Sequence, residues 1–163
     1  MLFSTVYPSP VGRMVLGSDG QALTGLWFEG QRYFPAGPME ENDALPVFAS
    51  VRDWLDAYFG GKQPDPRALP LAPAGSDFRK LIWDLLLLIP YGEVTTYGAL
   101  AEKAARRMGR YSMSAQAVGG AVGHNPISVI VPCHRVVGAD GSLTGYAAGL
   151  GVKIWLLQHE GVL

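Results

Sequence analysis

The chain has 163 residues, of which 48% are hydrophobic and 17% charged, a composition typical of one or two small folded domains. The longest apolar run, residues 85–91, is far shorter than the roughly 20 residues of a membrane-spanning helix, and the N-terminus lacks the pattern of a signal peptide. The single cysteine excludes an internal disulfide and a multi-cysteine zinc cluster, so we expect a cytoplasmic protein with no metal and no cofactor.

The net charge of −1 conceals an uneven distribution of charge along the chain. Residues 1–75 contain five basic and eight acidic side chains, whereas residues 76–163 contain eight basic and six acidic ones. Four basic residues lie close together and are called the basic cluster below: Lys103, Arg106, Arg107 and Arg110. The basic cluster either binds an anionic partner or is an ordinary solvated helix face.

The N-terminal part of the chain has the pattern of a small antiparallel sheet with one helix. Three β-prone runs separated by turn residues predict a three-stranded meander: residues 2–7, 13–16 and 22–28. Residues 31–45 lack periodicity, and we expect a loop there. Apolar residues recur at helical spacing from Val47 to Phe59, and this helix is expected to end at Gly60.

A proline-rich stretch, residues 64–73, is interpreted as a linker between two domains. We therefore place a sheet-plus-helix domain at residues 1–73 and a helical domain at residues 74–163. The predicted fold class is α/β (α+β). In the second domain, Ser76 is a candidate N-cap of a helix that ends before Pro90.

Two short helices in the second domain resemble a helix-turn-helix. They are predicted at residues 98–108 and 114–122, on either side of a turn at Gly109. The second helix contains glycines that each weaken a helix by roughly 1 kcal/mol: Gly119, Gly120 and Gly123. These glycines indicate that another group approaches the backbone of this helix closely, and that group is either a phosphate backbone or a packed neighbouring helix.

The residues with chemical potential follow the second of these helices. A β-prone run, residues 127–131, leads into Pro132, which restricts the backbone before Cys133. His134 could accept the thiol proton, and the charge of Arg135 favours a thiolate. Two carboxylates could orient the histidine: Asp140, and Glu160 at the end of a helix predicted over residues 152–160.

Together these motifs resemble the O6-alkylguanine-DNA alkyltransferase family. The resemblance rests on Pro-Cys-His-Arg-Val at 132–136, Ala-Val-Gly-Gly-Ala at 117–121, Asn125-Pro126 and the C-terminal Leu-Leu-x-x-Glu-Gly. It is dense from Phe78 to Gly161 and covers about half of the chain. It implies repair of double-stranded DNA that contains O6-alkylguanine, and potentially O4-alkylthymine, by a monomer that transfers the alkyl group to its own cysteine once.

The resemblance also implies roles for residues at the reacting centre. Cys133 corresponds to the alkyl acceptor, His134 to the base that deprotonates it through a water, and Glu160 to the carboxylate that orients the histidine. Asn125 corresponds to the residue that braces the turn between the recognition helix and the cysteine; an ordinary turn-former before proline is the alternative.

Other residues correspond to contacts with DNA and with the extruded base. Tyr146 corresponds to a hydroxyl that donates to guanine N3, and the Ala147 amide to a donor for O6. Tyr97 crowds the target phosphate, and Ala117 and Gly119 lie on the DNA-facing helix. Arg135 has two alternatives, a contact with DNA or an ion pair inside the domain.

Two positions depart from the family pattern. Gln116 stands where family members usually have an arginine that fills the gap left by the flipped base. Ala148 stands where the loop after the tyrosine usually has a glycine, which affects the alkyl groups that fit.

Two other functional classes are considered. An alkyltransferase-like protein binds damaged DNA without repairing it, but such proteins lack the cysteine that is present here at Cys133. A thiol hydrolase would use the same Cys, His and Glu residues, but it would not need a helix-turn-helix with a basic cluster.

Overall fold

The computed structural model describes all 163 residues, which form two compact units. The first unit is Met1–Ala74 together with Pro126–Ile130, and the second is Gly75–Asn125 together with Val131–Leu163. A small sheet and five helices confirm the predicted mixed α/β class. The expected domain division after residue 73 stays a prediction about which segments fold independently.

The first unit contains a four-stranded sheet. Its strands are β1 (Phe3–Ser9), β2 (Gly12–Ser18), β3 (Leu23–Phe28) and β4 (Glu40–Glu41), in the order β3-β2-β1-β4. The first three strands pair antiparallel, as the meander prediction required. Strand β4 pairs parallel with β1 inside the segment expected to be a loop. Two charged residues have no β pattern, so sequence reasoning could not detect this strand.

Helix α1 (Pro46–Phe59) supplies much of the core of the first unit. Proline at its first position already has a helical φ angle, and the helix ends at Gly60 as predicted. Phe48, Val51 and Leu55 are completely buried on one face of α1. Their spacing of three and four residues is that of an amphipathic helix packed on a core.

The outer edge of β3 is covered by two short segments. Leu23 N donates to Pro70 O at 2.8 Å and Ala72 N donates to Leu23 O at 2.8 Å. The linker interpretation of residues 64–73 is therefore wrong for its last part, which satisfies the sheet edge. In the same way, Leu26 N donates to Pro126 O at 2.8 Å.

The strand predicted over residues 127–131 is not formed. Ile127 makes one isolated bridge with Leu26, and the chain then turns. Val129 has a φ of 71°, and Ile130 N donates to Ser128 O at 2.8 Å across it. This is a γ-turn in a conformation that β-branched residues rarely adopt. The β propensity of the run was overruled by this local turn.

The second unit is mainly helical. Its elements are α2 (Asp77–Leu86), β5 (Thr95–Thr96), α3 (Tyr97–Met108), α4 (Ala115–Gly123), β6 (Val136–Val137) and α5 (Leu150–His159). The hydroxyls of Ser76, Thr96 and Ser114 cap α2, α3 and α4 by accepting from backbone amides of the first turn. Strands β5 and β6 pair in parallel.

Helices α3 and α4 form the arrangement predicted for the helix-turn-helix. Gly109 ends α3 with a φ of 65°, a left-handed conformation that favours glycine, and the chain then turns into α4. Trp83 of α2 is buried and its Nε1 donates to Ala121 O at 2.9 Å, which fixes α4 to α2. None of the helices has the length and hydropathy needed to span a bilayer.

Candidate active site

Cys133 lies at the start of a short 3-10 helix, Cys133–Arg135, that follows a tight turn. Pro132 is the central residue of this turn, with φ −82° and ψ 63°, and Cys133 N donates to Val131 O at 2.8 Å. These values describe an inverse γ-turn, and the proline ring holds φ near the value that the turn needs. The sequence predicted a restricted backbone at Cys133 at the end of a strand, but a turn and not a strand precedes it.

The Cys133 side chain is 6% exposed. Burial raises the pKa of its thiol, because the thiolate loses its hydration. Interactions with the side chains of Asn125 and Tyr146, and the positive charge of Lys153, lower the pKa and offset part of this effect. The thiol is therefore protonated before the reaction, and the groups around it stabilise the thiolate when it forms.

His134, the residue after Cys133, forms a buried pair with Glu160. His134 Nε2 lies 2.6 Å from Glu160 Oε2, and neither side chain is exposed. Burial lowers the pKa of His134 despite the opposing effect of Glu160. Burial alone would raise the pKa of Glu160, but hydrogen bonds from His134 and Arg135 hold it far below its usual range. A neutral His134 thus donates from Nε2 to an ionised carboxylate, which leaves Nδ1 able to accept a proton.

Arg135 is engaged inside the second unit. Its Nε donates to Glu160 Oε1 at 2.8 Å, its Nη2 to Glu160 Oε2 at 3.1 Å, and its Nη1 to Ile89 O at 2.7 Å. Its side chain is 8% exposed. Of the two alternatives for Arg135, the structure favours the internal ion pair, because every branch of the guanidinium already has an acceptor.

Asn125 and Glu160 connect the site to its surroundings. Asn125 Nδ2 donates to Val131 O at 2.8 Å, so the buried amide spans the turn that precedes Pro132. Glu160 Oε1 accepts from Gly92 N at 3.1 Å as well as from Arg135. Asp140, the other carboxylate considered, lies in an exposed turn and accepts from Ser142 N at 3.0 Å.

Lys153 is a member of the site that the sequence interpretation missed. It is fully buried, and its Nζ donates to Val136 O at 2.7 Å and to Thr144 O at 2.8 Å. The available signal was helical spacing, because Lys153 lies three, four and seven residues before Leu156, Leu157 and Glu160. A lysine on the buried stripe of a helix requires partners for its ammonium group.

Of the residues assigned to DNA contact, Tyr97 begins α3, and Gln116, Ala117 and Gly119 lie on α4. Gln116 and Ala117 are exposed at the start of α4, and Gly119 lies beside the half-buried ring of Tyr97. A Cβ added at Gly120 would meet no protein atom within 4 Å, and the same holds at Gly123. No packed helix therefore requires these two glycines, which removes one of the two explanations for them.

The basic cluster has no acidic partners. All four of its residues are exposed, and none of them forms an ion pair, although Glu102 is adjacent.

Tyr146 and Ala147 are half-buried in the loop before α5. The structure contains no group of three or more His, Cys, Asp and Glu side chains that could hold a metal ion.

Comparison with known proteins gives matches over nearly the whole chain. Residues 2–73 match the ribonuclease-like domain of 6-O-methylguanine DNA methyltransferase, and residues 77–162 match its DNA binding domain. A methylated-DNA--protein-cysteine methyltransferase from Haemophilus influenzae is 45% identical over 159 residues, which cover 98% of this chain and 86% of that protein. One from Methanosarcina acetivorans is 39% identical and is covered to 99%.

Solved structures give the same result. The crystal structure of Mycobacterium tuberculosis OGT in complex with DNA superposes with a TM-score of 0.83 at 38% identity, over 97% of this chain and 92% of that one. An O6-methylguanine DNA methyltransferase from Methanococcus jannaschii superposes with a TM-score of 0.68 at 27% identity, over 98% and 94% of the two chains. The chain belongs to the 6-O-methylguanine DNA methyltransferase family.

Proposed function

We propose that this protein repairs O6-alkylguanine in DNA by moving the alkyl group to its own Cys133. The observation that carries this proposal is the placement of the chain's single thiol beside a buried His134–Glu160 pair. In the reaction, the Cys133 thiolate attacks the alkyl carbon, the bond from that carbon to O6 breaks, and a carbon–sulfur bond forms. The electron pair of the broken bond leaves with guanine, which takes up a proton.

The proton of Cys133 passes to His134 Nδ1 through a water. Because Nε2 donates to Glu160, the ionised carboxylate balances the positive charge of the imidazolium that forms next to it. The Arg135 guanidinium keeps Glu160 ionised and oriented. The product is a thioether, which has no hydrolytic exit, so the reaction ends after one turnover per molecule.

DNA binds across α3 and α4 in this proposal. The unpaired basic cluster contacts phosphates, and the open face of α4 at Gly120 lets a backbone come close. The target nucleotide is extruded toward Cys133, where Tyr146 and the Ala147 amide bind the base. Tyr97 assists extrusion, and Gln116 takes the place of the flipped base without a charge. We expect the protein to act as a monomer in the cytoplasm, where its free thiol stays reduced.

The proposal is tested by intact mass after incubation with an oligonucleotide that contains O6-methylguanine. We expect one methyl adduct per molecule, located on Cys133 by peptide mapping. DNA binding without any adduct would favour a non-repairing binding protein. Repeated cleavage of a thioester substrate without an adduct would favour a thiol hydrolase.

A further inference from the structure

The turn between α2 and β5 contacts the buried charges of the candidate site, although the proposed transfer chemistry gives it no task. It consists of Ile-Pro-Tyr-Gly at residues 89–92 and is called the 89–92 turn below. Glu93 N donates to Pro90 O at 3.1 Å across it, and Gly92 has a φ of 79°. A β-turn with a positive φ at its third residue favours glycine there.

Arg135 contacts the 89–92 turn in two places. Its Nη1 donates to Ile89 O at 2.7 Å, and its guanidinium carbon lies 5.8 Å from the centroid of the half-buried Tyr91 ring. The face of an aromatic ring attracts a cation at this distance. Two residues of the turn therefore restrict where the guanidinium can lie.

Glu160 contacts the same turn through its side chain and its backbone. Gly92 N donates at 3.1 Å to Oε1, the carboxylate oxygen that also accepts from Arg135 Nε. The Tyr91 hydroxyl donates to the carbonyl of His159 at 3.3 Å. A Cβ added at Gly92 would lie 3.4 Å from Glu160 O. The position of the carboxylate therefore depends on the turn as well as on α5.

The protonation state of His134 depends on how these groups engage Glu160. The Glu160 carboxylate raises the pKa of His134, whereas burial and the charges of Arg135 and Lys153 lower it. The Tyr91 phenol stays neutral, because burial and the charge of Glu160 raise its pKa. A carboxylate that lost a donor, or part of its contact with the guanidinium, would attract the histidine proton more strongly. An imidazolium formed in this way could not accept the thiol proton.

We propose that Tyr91 and Gly92 are positioning residues, which hold Arg135 and Glu160 where these two keep His134 neutral and ready to accept the thiol proton. This inference rests on the proposed role of His134 as the base in alkyl transfer. It predicts that removing either contact from the turn changes proton transfer and leaves the binding of guanine unchanged.

The first test is an NMR titration of the His134 imidazole in the full chain. Tyr91→Leu removes the ring that lies against Arg135, and Tyr91→Phe keeps the ring and removes only the hydroxyl. We expect the pKa of His134 to rise by about one unit in Tyr91→Leu, because the guanidinium loses its aromatic contact and Glu160 becomes more available to the histidine. Tyr91→Phe should titrate as the wild type does.

Gly92→Ala tests the turn independently and decides the question if Tyr91→Leu does not fold. The added methyl group strains the positive φ angle and presses on Glu160 O, so the Gly92 N–H group moves away from Oε1. The pKa of His134 should rise here too. Gly61→Ala is the matched control, because Gly61 has a φ of 91° and a Cβ there would meet no atom within 4 Å. It should leave the titration of His134 unchanged.

The second measurement is the rate of reaction with free O6-benzylguanine across a range of pH. On the acid side of the profile, the rate at saturation should fall by about tenfold in Tyr91→Leu and in Gly92→Ala, since a pKa shift of one unit changes the neutral fraction of His134 by that factor. The difference should disappear at high pH. The half-saturating concentration should stay at its wild-type value, which a general loosening of the site would not predict.

Folded Tyr91→Leu or Gly92→Ala proteins in which His134 titrates as in the wild type would overturn the proposal. An equal shift in Gly61→Ala would overturn it as well, because backbone strain alone would then explain the result. Absence of a methyl adduct on the wild-type protein would instead refute the proposed function, and the NMR titration does not depend on that result.

Discussion

The substitution Glu160→Gln removes one charge from the centre of the buried network and changes little in volume. Both carboxylate oxygens are surrounded by donors: Oε1 by Gly92 N and Arg135 Nε, and Oε2 by His134 Nε2 and Arg135 Nη2. The NH2 group of glutamine must take one of these two places. In either place it faces two N–H groups, and Arg135 loses its only anionic partner.

The expected loss of stability is about 3–5 kcal/mol, the usual effect of removing one partner from a buried ion pair. For a chain of this size, it corresponds to a fall in melting temperature of about 10 °C. Alkyl transfer should slow by about a hundredfold, because His134 loses the carboxylate that keeps its Nδ1 available and compensates the imidazolium. The apparent thiol pKa in the pH–rate profile should rise.

The assay combines thermal unfolding with single-turnover transfer from an O6-methylguanine duplex at a series of pH values. Glu93→Gln is the matched control, because Glu93 is exposed in the same unit and should tolerate the change. A Glu160→Gln protein with wild-type melting temperature and pH–rate profile would refute the reasoning, since it would reduce Glu160 to an ordinary residue in the last turn of α5.

Three further predictions concern DNA and pH. Gln116→Arg should bind duplex DNA more tightly and speed repair in duplex DNA more than in single strands. Gln116→Ala should slow repair of duplex DNA and leave the reaction with free O6-benzylguanine unchanged. Equal effects on duplex DNA and on the free base would assign the residue to the base pocket. The affinity for DNA should fall steeply as the salt concentration rises, and Lys103→Ala or Arg107→Ala should each reduce the slope of log K against log salt concentration by about 1. Lys62→Ala, in the acidic half of the chain, is the control. Unchanged slopes would mean that DNA does not bind at the basic cluster. The free energy of unfolding in urea should fall as pH drops below the ordinary histidine pKa of 6.5, because the unfolded chain then binds a proton that buried His134 does not. It should fall again below the ordinary glutamate pKa of 4.5, because the pKa of Glu160 is depressed in the folded protein. Constant stability across the histidine range would contradict a buried neutral His134.

Local patterns gave most of the secondary structure. The meander, α1 and the capped helices follow from alternation, helical spacing and capping residues, which act within a few positions of each other. The two errors at residues 70–72 and 127–131 have different causes. Residues 70–72 meet the edge of β3, and a pairing between residues that are distant in the chain leaves no local pattern. In residues 127–131, the γ-turn at Val129 overrules the β propensity of the run.

The candidate site was partly accessible from sequence for a similar reason. Cys133 and His134 are adjacent, so their combination was visible, and the resemblance indicated Glu160 at the far end of α5. The choice between DNA and an internal partner for Arg135 required coordinates, because a guanidinium group can bind either a phosphate or a carboxylate and the sequence does not show which of them is near. Lys153 was missed because a lone lysine in an apolar helix has the same sequence pattern whether its ammonium reaches solvent or a pair of carbonyls.

The central claim is that Cys133 is a stoichiometric acceptor, and the most direct measurement is the amount of methyl group transferred from excess O6-methylguanine duplex. The account predicts a plateau at one equivalent per molecule of wild-type protein. Cys133→Ala should bind the same duplex with near-wild-type affinity and transfer nothing, because the thiol contributes chemistry and little contact area. Transfer beyond one equivalent, or comparable transfer by Cys133→Ala, would contradict it.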